Sequence, residues 1–264
     1  MHKAPLIALL SDFGLADPYV GQMKSVLLSA APGMPLLDIS HNVAPQDIWQ
    51  GAFFLAATLP WLPPGAVVVA VVDPGVGSDR RVLLAQVGCH WILAPDNGLV
   101  TLVLGRERLC RLFDLSPRVV PASATFHGRD VFAPLAARLA MGEEATALGS
   151  VWHGPDPVRL EGFLPVRLED SVSGRVLSVD RFGNVILSLD VERFGRLPAT
   201  PAVTEPMHAP LIPVATYADI PHGDIGILAG SQGYLELAVS HGSAAARLGL
   251  RRGDAVTFHW PEGE

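Results

Sequence analysis

The run Ala66–Val72 constrains this chain more than any other feature. It holds seven consecutive apolar residues, all Val or Ala, and ends abruptly at Asp73-Pro74-Gly75. A strand with one wet face alternates apolar and polar residues. A run without polar positions suits a central parallel strand covered on both faces. It falls far short of the roughly 18–20 residues that span a bilayer. The segments around it alternate between strand-like and helix-like patterns. Leu6–Leu10 reads as a strand. Asp17 and Pro18 then read as N-cap and first helical position of a helix to about Ala30, closed by Pro32-Gly33. Leu36–Ile39 is another strand, and Asp47 caps a helix over Ile48–Leu59. Val82–Val87 and Trp91–Ala94 are further strands, and Asp130–Met141 is a helix with Pro134 near its first turn. This alternation predicts an α/β N-terminal domain with a mostly parallel sheet.

The pattern changes after about Gly154. Pro155, Pro157 and Pro165 punctuate a linker over residues 155–165. Beyond it come short apolar runs between turn residues: Arg175–Val179, Asn184–Leu189, Ile225–Leu228, Tyr234–Val239 and Ala255–Trp260. Only Ser243–Leu250 looks helical. The expectation is a smaller all-β barrel domain over 166–264, following an α/β domain over 1–154. A length of 264 residues suits two domains at roughly 150 residues each.

Composition removes several functional classes. Apolar residues make up 49% and charged residues 17%, which is globular rather than disordered. Nineteen Lys and Arg against 26 Asp and Glu give a net charge of −7, which argues against a nucleic-acid partner. Lys3 precedes a short apolar run that Ser11 and Asp12 end at once, unlike a signal peptide. Cys89 and Cys110 fit neither a disulfide framework nor a zinc site and read as small buried residues. A cytoplasmic location without membrane association follows. The nine histidines show no i, i+4 pair on a predicted helix, so no metal site is expected.

In an open α/β sheet, ligands bind beyond the carboxyl ends of the strands. Asp12 follows the first strand, Asp73 the central one, and His127 stands just before a helix start. Each also has an ordinary use, as a turn former, a cap or a surface residue. Their convergence on one rim makes them candidates for acid–base chemistry. No phosphate-binding loop, dinucleotide fingerprint or Gly-x-Ser-x-Gly elbow appears.

Six segments in fixed order go further: Leu10-Ser11-Asp12-Phe13-Gly14, His41 to Asp47, Val71 to Gly77, Ala94 to Leu99, Thr125 to Asp130, and Asp180-Arg181-Phe182-Gly183-Asn184. Over nearly the whole chain the sequence resembles the S-adenosyl-L-methionine hydrolases (hydroxide adenosyltransferases), relatives of fluorinase and chlorinase. The resemblance implies an α/β domain followed by a β-barrel. It also implies attack of water or hydroxide on C5′ of S-adenosyl-L-methionine, giving adenosine and methionine without a cofactor. The family's Asp–Arg–His set falls on Asp73, Arg80 and His127, with Arg81 adjacent. Asp12 matches the ribose-hydroxyl ligand. Asp17 and Asp180 match positions near the methionine ammonium. Phe182 and Asn184 match adenine and methionine contacts, Ser231 a carboxylate contact, and Tyr217 an aromatic partner for adenine. A hairpin turn alone also accounts for Phe182-Gly183-Asn184. The family's active site lies between subunits of a homotrimer, so Asp180, Phe182, Asn184 and Ser231 would act in trans.

Departures separate the branches of the family. Asp73 stands where fluorinases carry Tyr, Gly128 where they carry the halide-contacting Ser, and Gln46 where they place Trp. Gly230 replaces an Asn frequent in relatives. A carboxylate repels halide by about 4 kcal/mol at 4 Å and an effective dielectric of 20, which favours water as nucleophile. Two alternatives remain open at this point: a halogenase, and a low-turnover S-adenosyl-L-methionine or nucleoside sensor.

Overall fold

The computed structural model describes residues 4–106, 109–116, 121–162 and 164–260. Lys3, and residue 163 of the expected linker, lie outside the described residues. The chain divides into two compact units, 1–160 and 161–264.

The first unit is built on a seven-stranded sheet. Its strands are β1 (Ile7–Ser11), β2 (Leu36–Ser40), β3 (Val67–Val71), β4 (Val82–Val87), β5 (His90–Pro95), β6 (Leu109–Asp114) and β7 (Ser150–Val151), in the order β2-β1-β3-β5-β4-β6-β7. The Val/Ala run forms β3, parallel to β1 and β5 on its two sides and buried along its whole length. Three helices flank the sheet early in the unit: α1 (Tyr19–Ala30), α2 (Ile48–Thr58) and α3 (Thr101–Arg106). α1 buries Val20, Met23 and Leu27, a single stripe at helical spacing. It packs against α4 (Ala133–Ala140), whose Leu135, Ala136 and Leu139 join the same core.

Four expectations need correction. The sheet is mixed rather than mostly parallel. β2, β1, β3 and β5 run parallel, but β4, β6 and β7 are added antiparallel. Only Gly88-Cys89 separates β4 from β5. A connection that short makes a hairpin, whereas a parallel neighbour needs a crossover of about a dozen residues. Both cysteines are exposed, not buried. Cys89 sits in that tight turn, and Cys110 lies on β6 with its thiol 3.8 Å from the Gly88 carbonyl. Asp17 does not cap α1. The helix starts at Tyr19, Pro18 occupies the cap position, and no side chain bonds there. By contrast, Asp47 does cap α2, accepting from the Gln50 amide at 2.8 Å. The predicted helix 130–141 is split. A π-type turn over Gly128–Phe132 precedes α4, with the Ala133 amide donating to the Gly128 carbonyl. Pro134 has no amide hydrogen for the carbonyl one turn back, so regular helix begins only around it.

The second unit is a nine-stranded, barrel-like sheet. Its strands are β8 (Val166–Leu168), β9 (Ser171–Val179), β10 (Val185–Asp190), β11 (Ala202–Glu205), β12 (Ala209–Pro210), β13 (Ile212–Pro213), β14 (Ile225–Ala229), β15 (Tyr234–Val239) and β16 (Ala255–His259). The path runs β12-β11-β16-β9-β10-β15-β14-β13, with β8 paired to β9. Val172, Val176, Leu187, Ile227, Leu235, Leu237, Val256 and Phe258 fill its core. The helix expected near residue 243 spans Ala244–Leu248. Ser243 caps it through the Ala246 amide, and left-handed Gly249 ends it. A second short helix, Val191–Phe194, capped by Asp190, was not legible in the pattern. Among the described residues no helix is long and apolar enough to cross a membrane.

Candidate active site

Ser11 and Val71 are paired neighbours at the ends of β1 and β3, so Asp12 and Asp73 emerge at the same carboxyl edge of the sheet. His127 reaches that edge from the turn before α4. Together with Phe13, Tyr19, Gln46, Phe126 and Gly128 they line a cavity of about 350 Å³. Phe13, Tyr19 and Phe126 form a mutually packed aromatic wall, with ring centroids 5.1–5.9 Å apart. Sequence reasoning assigned no role to these three. The signal was adjacency, since Phe13 follows Asp12 and Phe126 precedes His127.

The polar centre is tightly locked. Arg80 Nε donates to Asp73 Oδ1 at 2.7 Å, and its Nη2 donates to Asp73 Oδ2. The same Nη2 lies 3.1 Å from His127 Nδ1. The side chains of Arg80 and Asp73 are 9% and 4% exposed. A bidentate arginine fork is the strong form of this pair, and burial makes each partner depend on the other. Arginine only donates, so His127 Nδ1 accepts and the neutral ring carries its proton on Nε2. Burial lowers the His127 pKa. The Arg80 charge lowers it further, and Asp73 and Asp130 act in the opposite sense. The neighbouring Arg81 is engaged elsewhere: its Nε donates to Asp96 at 2.7 Å, and its guanidinium stacks over Trp152.

Asp12 Oδ2 accepts the Gln46 amide at 2.8 Å. Beneath it, Ser11 is fully buried and bonds His41 Nδ1 at 2.7 Å. His41 Nε2 meets Asp38 at 3.1 Å, and Lys24 donates to the other Asp38 oxygen. The His41 carbonyl also accepts the Gly14 amide. This chain braces the turn that presents Asp12. The His127 turn is braced as well, by the Arg129–Asp130 pair, by Gln22 on α1, and by the Ser123 amide on Asp130. Space around Gly128 is tight. A Cβ there would stand 3.0 Å from Met23 Sδ, 3.0 Å from Phe13 and 3.1 Å from Phe126. Asp17 is exposed and does not line this cavity.

The barrel unit holds a separate cavity of about 1130 Å³, lined by Asp180, Phe182, Asn184, Tyr217, Ser231 and Glu236, among others. All five residues expected from this half of the chain therefore meet in one place. Asp180 organises the β9–β10 hairpin. Its Oδ1 accepts the Phe182 and Asn184 amides at 2.9 Å each, and its Oδ2 accepts Asn184 Nδ2 at 3.0 Å. Phe182 is left 73% exposed at the hairpin tip. Tyr217 donates its hydroxyl to Glu236 at 2.7 Å. Burial raises the tyrosine pKa, and the negative charges of Glu236 and Asp180 raise it further. Glu236 was not singled out from sequence. Its only signal was a carboxylate inside the apolar stretch Tyr234–Val239. Among the described residues, no three His, Cys, Asp or Glu side chains gather to hold a metal ion.

With this geometry in view, the similarities to known proteins are specific. Residues 7–149 match the S-adenosyl-L-methionine hydroxide adenosyltransferase N-terminal domain, and 174–257 match the corresponding C-terminal domain. The chain is 42% identical to the (R)-S-adenosyl-L-methionine hydrolase of Thermus thermophilus over 95% of this chain and 98% of that one. It is 39% identical to the enzyme of the same name from Salinispora arenicola, over 97% and 98%. A fluorinase from Nocardia brasiliensis is more distant, at 29% over 96% of both chains. Among solved structures, a Thermotoga maritima protein described as uncharacterized superposes with a TM-score of 0.88 at 30% identity, over 96% of this chain and 99% of that one. The chain belongs to the S-adenosyl-L-methionine hydroxide adenosyltransferase family.

Proposed function

We propose that the protein hydrolyses S-adenosyl-L-methionine to adenosine and L-methionine by attack of water or hydroxide on C5′. The observation that carries the mechanism is Arg80 bridging Asp73 and His127 at the wall of the cavity that also holds Asp12. The names of the Thermus and Salinispora relatives support the same reaction.

The chemistry follows from the substrate. The C5′–O bond forms as the C5′–S bond breaks, and the bonding pair leaves on sulfur as a neutral thioether. The sulfonium supplies its own leaving group, so this reading requires no cofactor. The attacking water must lose a proton, which passes to the Asp73–Arg80–His127 set. Positioned proton transfer of this kind contributes roughly 10²–10⁴-fold. Arg80 fixes the carboxylate and favours hydroxide-like charge beside it. Asp12 accepts the ribose hydroxyls. Phe182, Asn184, Tyr217 and Ser231 hold adenine and the methionine moiety, while Asp180 offers negative charge to its ammonium. Asp17, which the resemblance placed near the same ammonium, has the weakest support because it is exposed and off the cavity.

Halide transfer is the runner-up, and two observations disfavour it. The Asp73 carboxylate repels an anion, and a halide-contacting side chain at position 128 would crowd Met23, Phe13 and Phe126. As part of the same reading we assign a homotrimer with the site shared between subunits. Its support is that each cavity holds only part of the expected residue set. A cytoplasmic location belongs to it too, since two exposed thiols suit a reducing compartment. The test is incubation with S-adenosyl-L-methionine, with and without chloride, followed by nucleoside chromatography. Adenosine and methionine are expected in both cases. A 5′-chloro nucleoside would place the protein in the halogenase branch, and tight binding without turnover would make it a sensor.

A further inference from the structure

The segment Ala94 to Leu99 lines neither cavity, yet its turn touches the main chain beside both members of the Asp73–Arg80 pair. β5 ends at Pro95, next to β3 and parallel to it, so Asp96 and Asn97 stand at the same carboxyl edge as Asp73. The paired register of the two strands stops at Val69 and Leu93. Val72 lies beyond it and is fully buried, so its carbonyl needs a partner from outside the ladder. Asn97 Nδ2 donates to that carbonyl at 2.8 Å, one residue before Asp73. The Leu99 amide donates to Asn97 Oδ1 at 3.2 Å and so fixes which way the side-chain amide points.

Asp96 acts on the other member. Its amide donates to the Arg81 carbonyl at 3.0 Å, and its Oδ2 accepts Arg81 Nε at 2.7 Å and Nη2 as well. One residue therefore grips Arg81 at its main chain and at its side chain. The same Arg81 carbonyl accepts Arg80 Nη1 at 3.4 Å, which links the gripped main chain to the Arg80 guanidinium. The other Asp96 oxygen accepts the Val158 amide at 2.8 Å. That last bond fastens the linker. The bonds to Arg81 and Val72 fall instead beside the two groups whose alignment the chemistry requires.

We propose that Asp96 and Asn97 are positioning residues for the reaction: one turn at the end of β5 fixes the main chain next to Asp73 and next to Arg80, so that the two side chains meet in the fork that reaches His127. The proposal rests on the hydrolytic reading given above. A misplacement of about 1 Å at a reacting group costs roughly 100-fold in rate, which sets the scale of the expected effect.

The test uses the full-length protein and the variants Asn97→Asp, Asn97→Ala and Asp96→Asn. Asn97→Asp keeps the shape and the acceptor for Leu99 but has no donor for the Val72 carbonyl. Asp96→Asn keeps an acceptor for Val158 and loses the charge that holds Arg81. The readouts are kcat and KM for S-adenosyl-L-methionine, adenosine affinity by calorimetry, melting temperature, and an NMR titration of the His127 ring. In each folded variant kcat should fall roughly 10- to 100-fold, while KM and adenosine affinity stay within about threefold of wild type. The His127 pKa should rise in Asp96→Asn. Arg80 lowers it in the wild type, a loosened Arg80 lowers it less, and Asp73 and Asp130 still raise it. If one variant unfolds, the others carry the comparison. A lower melting temperature with unchanged kcat and an unchanged His127 titration would reduce the turn to a structural brace and overturn the proposal. So would wild-type kcat in Asn97→Asp, or a loss there that is absent in Asn97→Ala and hence due to the added charge. A wild-type protein without turnover defeats the hydrolase reading, and the His127 titration then decides alone: a rise in Asp96→Asn supports the positioning role, and no rise overturns it.

Discussion

The two cavities are built on opposite principles. In the α/β unit nearly every polar group already has a partner: Asp73 holds Arg80, Arg80 reaches His127, and Asp12 is pinned by the Gln46 amide. In the barrel unit the cavity is about three times larger, Phe182 and Tyr217 are half exposed or more, and Glu236 has an oxygen to spare. The first arrangement suits chemistry, where groups must stand in place before charge develops. The second suits capture, where a ligand completes what the protein leaves open. Substitutions in the two places should therefore affect different kinetic constants.

The largest expected effect tests the chemical half. Asp73→Asn keeps the shape but removes the charge that Arg80 grips, and kcat should fall by roughly 10²–10⁴-fold, with little change in the affinity for adenosine. A parallel loss of affinity would mean that Asp73 binds rather than reacts. The pH dependence comes next. Protonating His127 places a positive charge beside Arg80 and removes the lone pair that accepts from it. The His127 pKa lies below its ordinary 6.5. Activity should thus hold as pH falls to 6.5 and then drop by roughly tenfold per pH unit below the lowered value. A pH–rate profile already falling between 7 and 8 would contradict this. Gly128→Ser, which crowds Met23, Phe13 and Phe126, should cost about 1–3 kcal/mol of stability by overpacking, read as a lower melting temperature. It should yield no halogenated product in the presence of chloride. The smallest effect belongs to the barrel. Ser231→Ala should raise KM by roughly tenfold and leave kcat nearly unchanged, the signature of one hydrogen bond to the substrate carboxylate lost from an exposed hydroxyl.

The same contrast governs what the sequence reveals. β3 was legible because a strand buried on both faces must be apolar at every position, and few other structures demand that of Ala66–Val72. Asp12 and Asp73 were legible because they stand where such strands end. The strand directions were less so: the turn Gly88-Cys89 fixes an antiparallel hairpin, and apolar runs alone carry no direction. The peripheral strands β8 and β11 to β13 are short, partly exposed or broken by Pro210 and Pro213, so burial imposes little pattern on them. The cap at Asp17 failed because Pro18 itself takes the cap position. Glu236 shows the limit most clearly. A single carboxylate in an apolar strand gives no hint of what it faces, and only the fold brings Tyr217, 19 residues earlier, onto it.

One measurement bears most directly on the central claim. S-adenosyl-L-methionine is incubated with the protein in ¹⁸O-labelled water, and the nucleoside product is analysed by mass spectrometry. The account predicts adenosine carrying one label on its 5′-oxygen, together with unlabelled methionine. Label-free adenosine, or label in the methionine portion, would show that water does not attack C5′ and would contradict the role given to Asp73, Arg80 and His127.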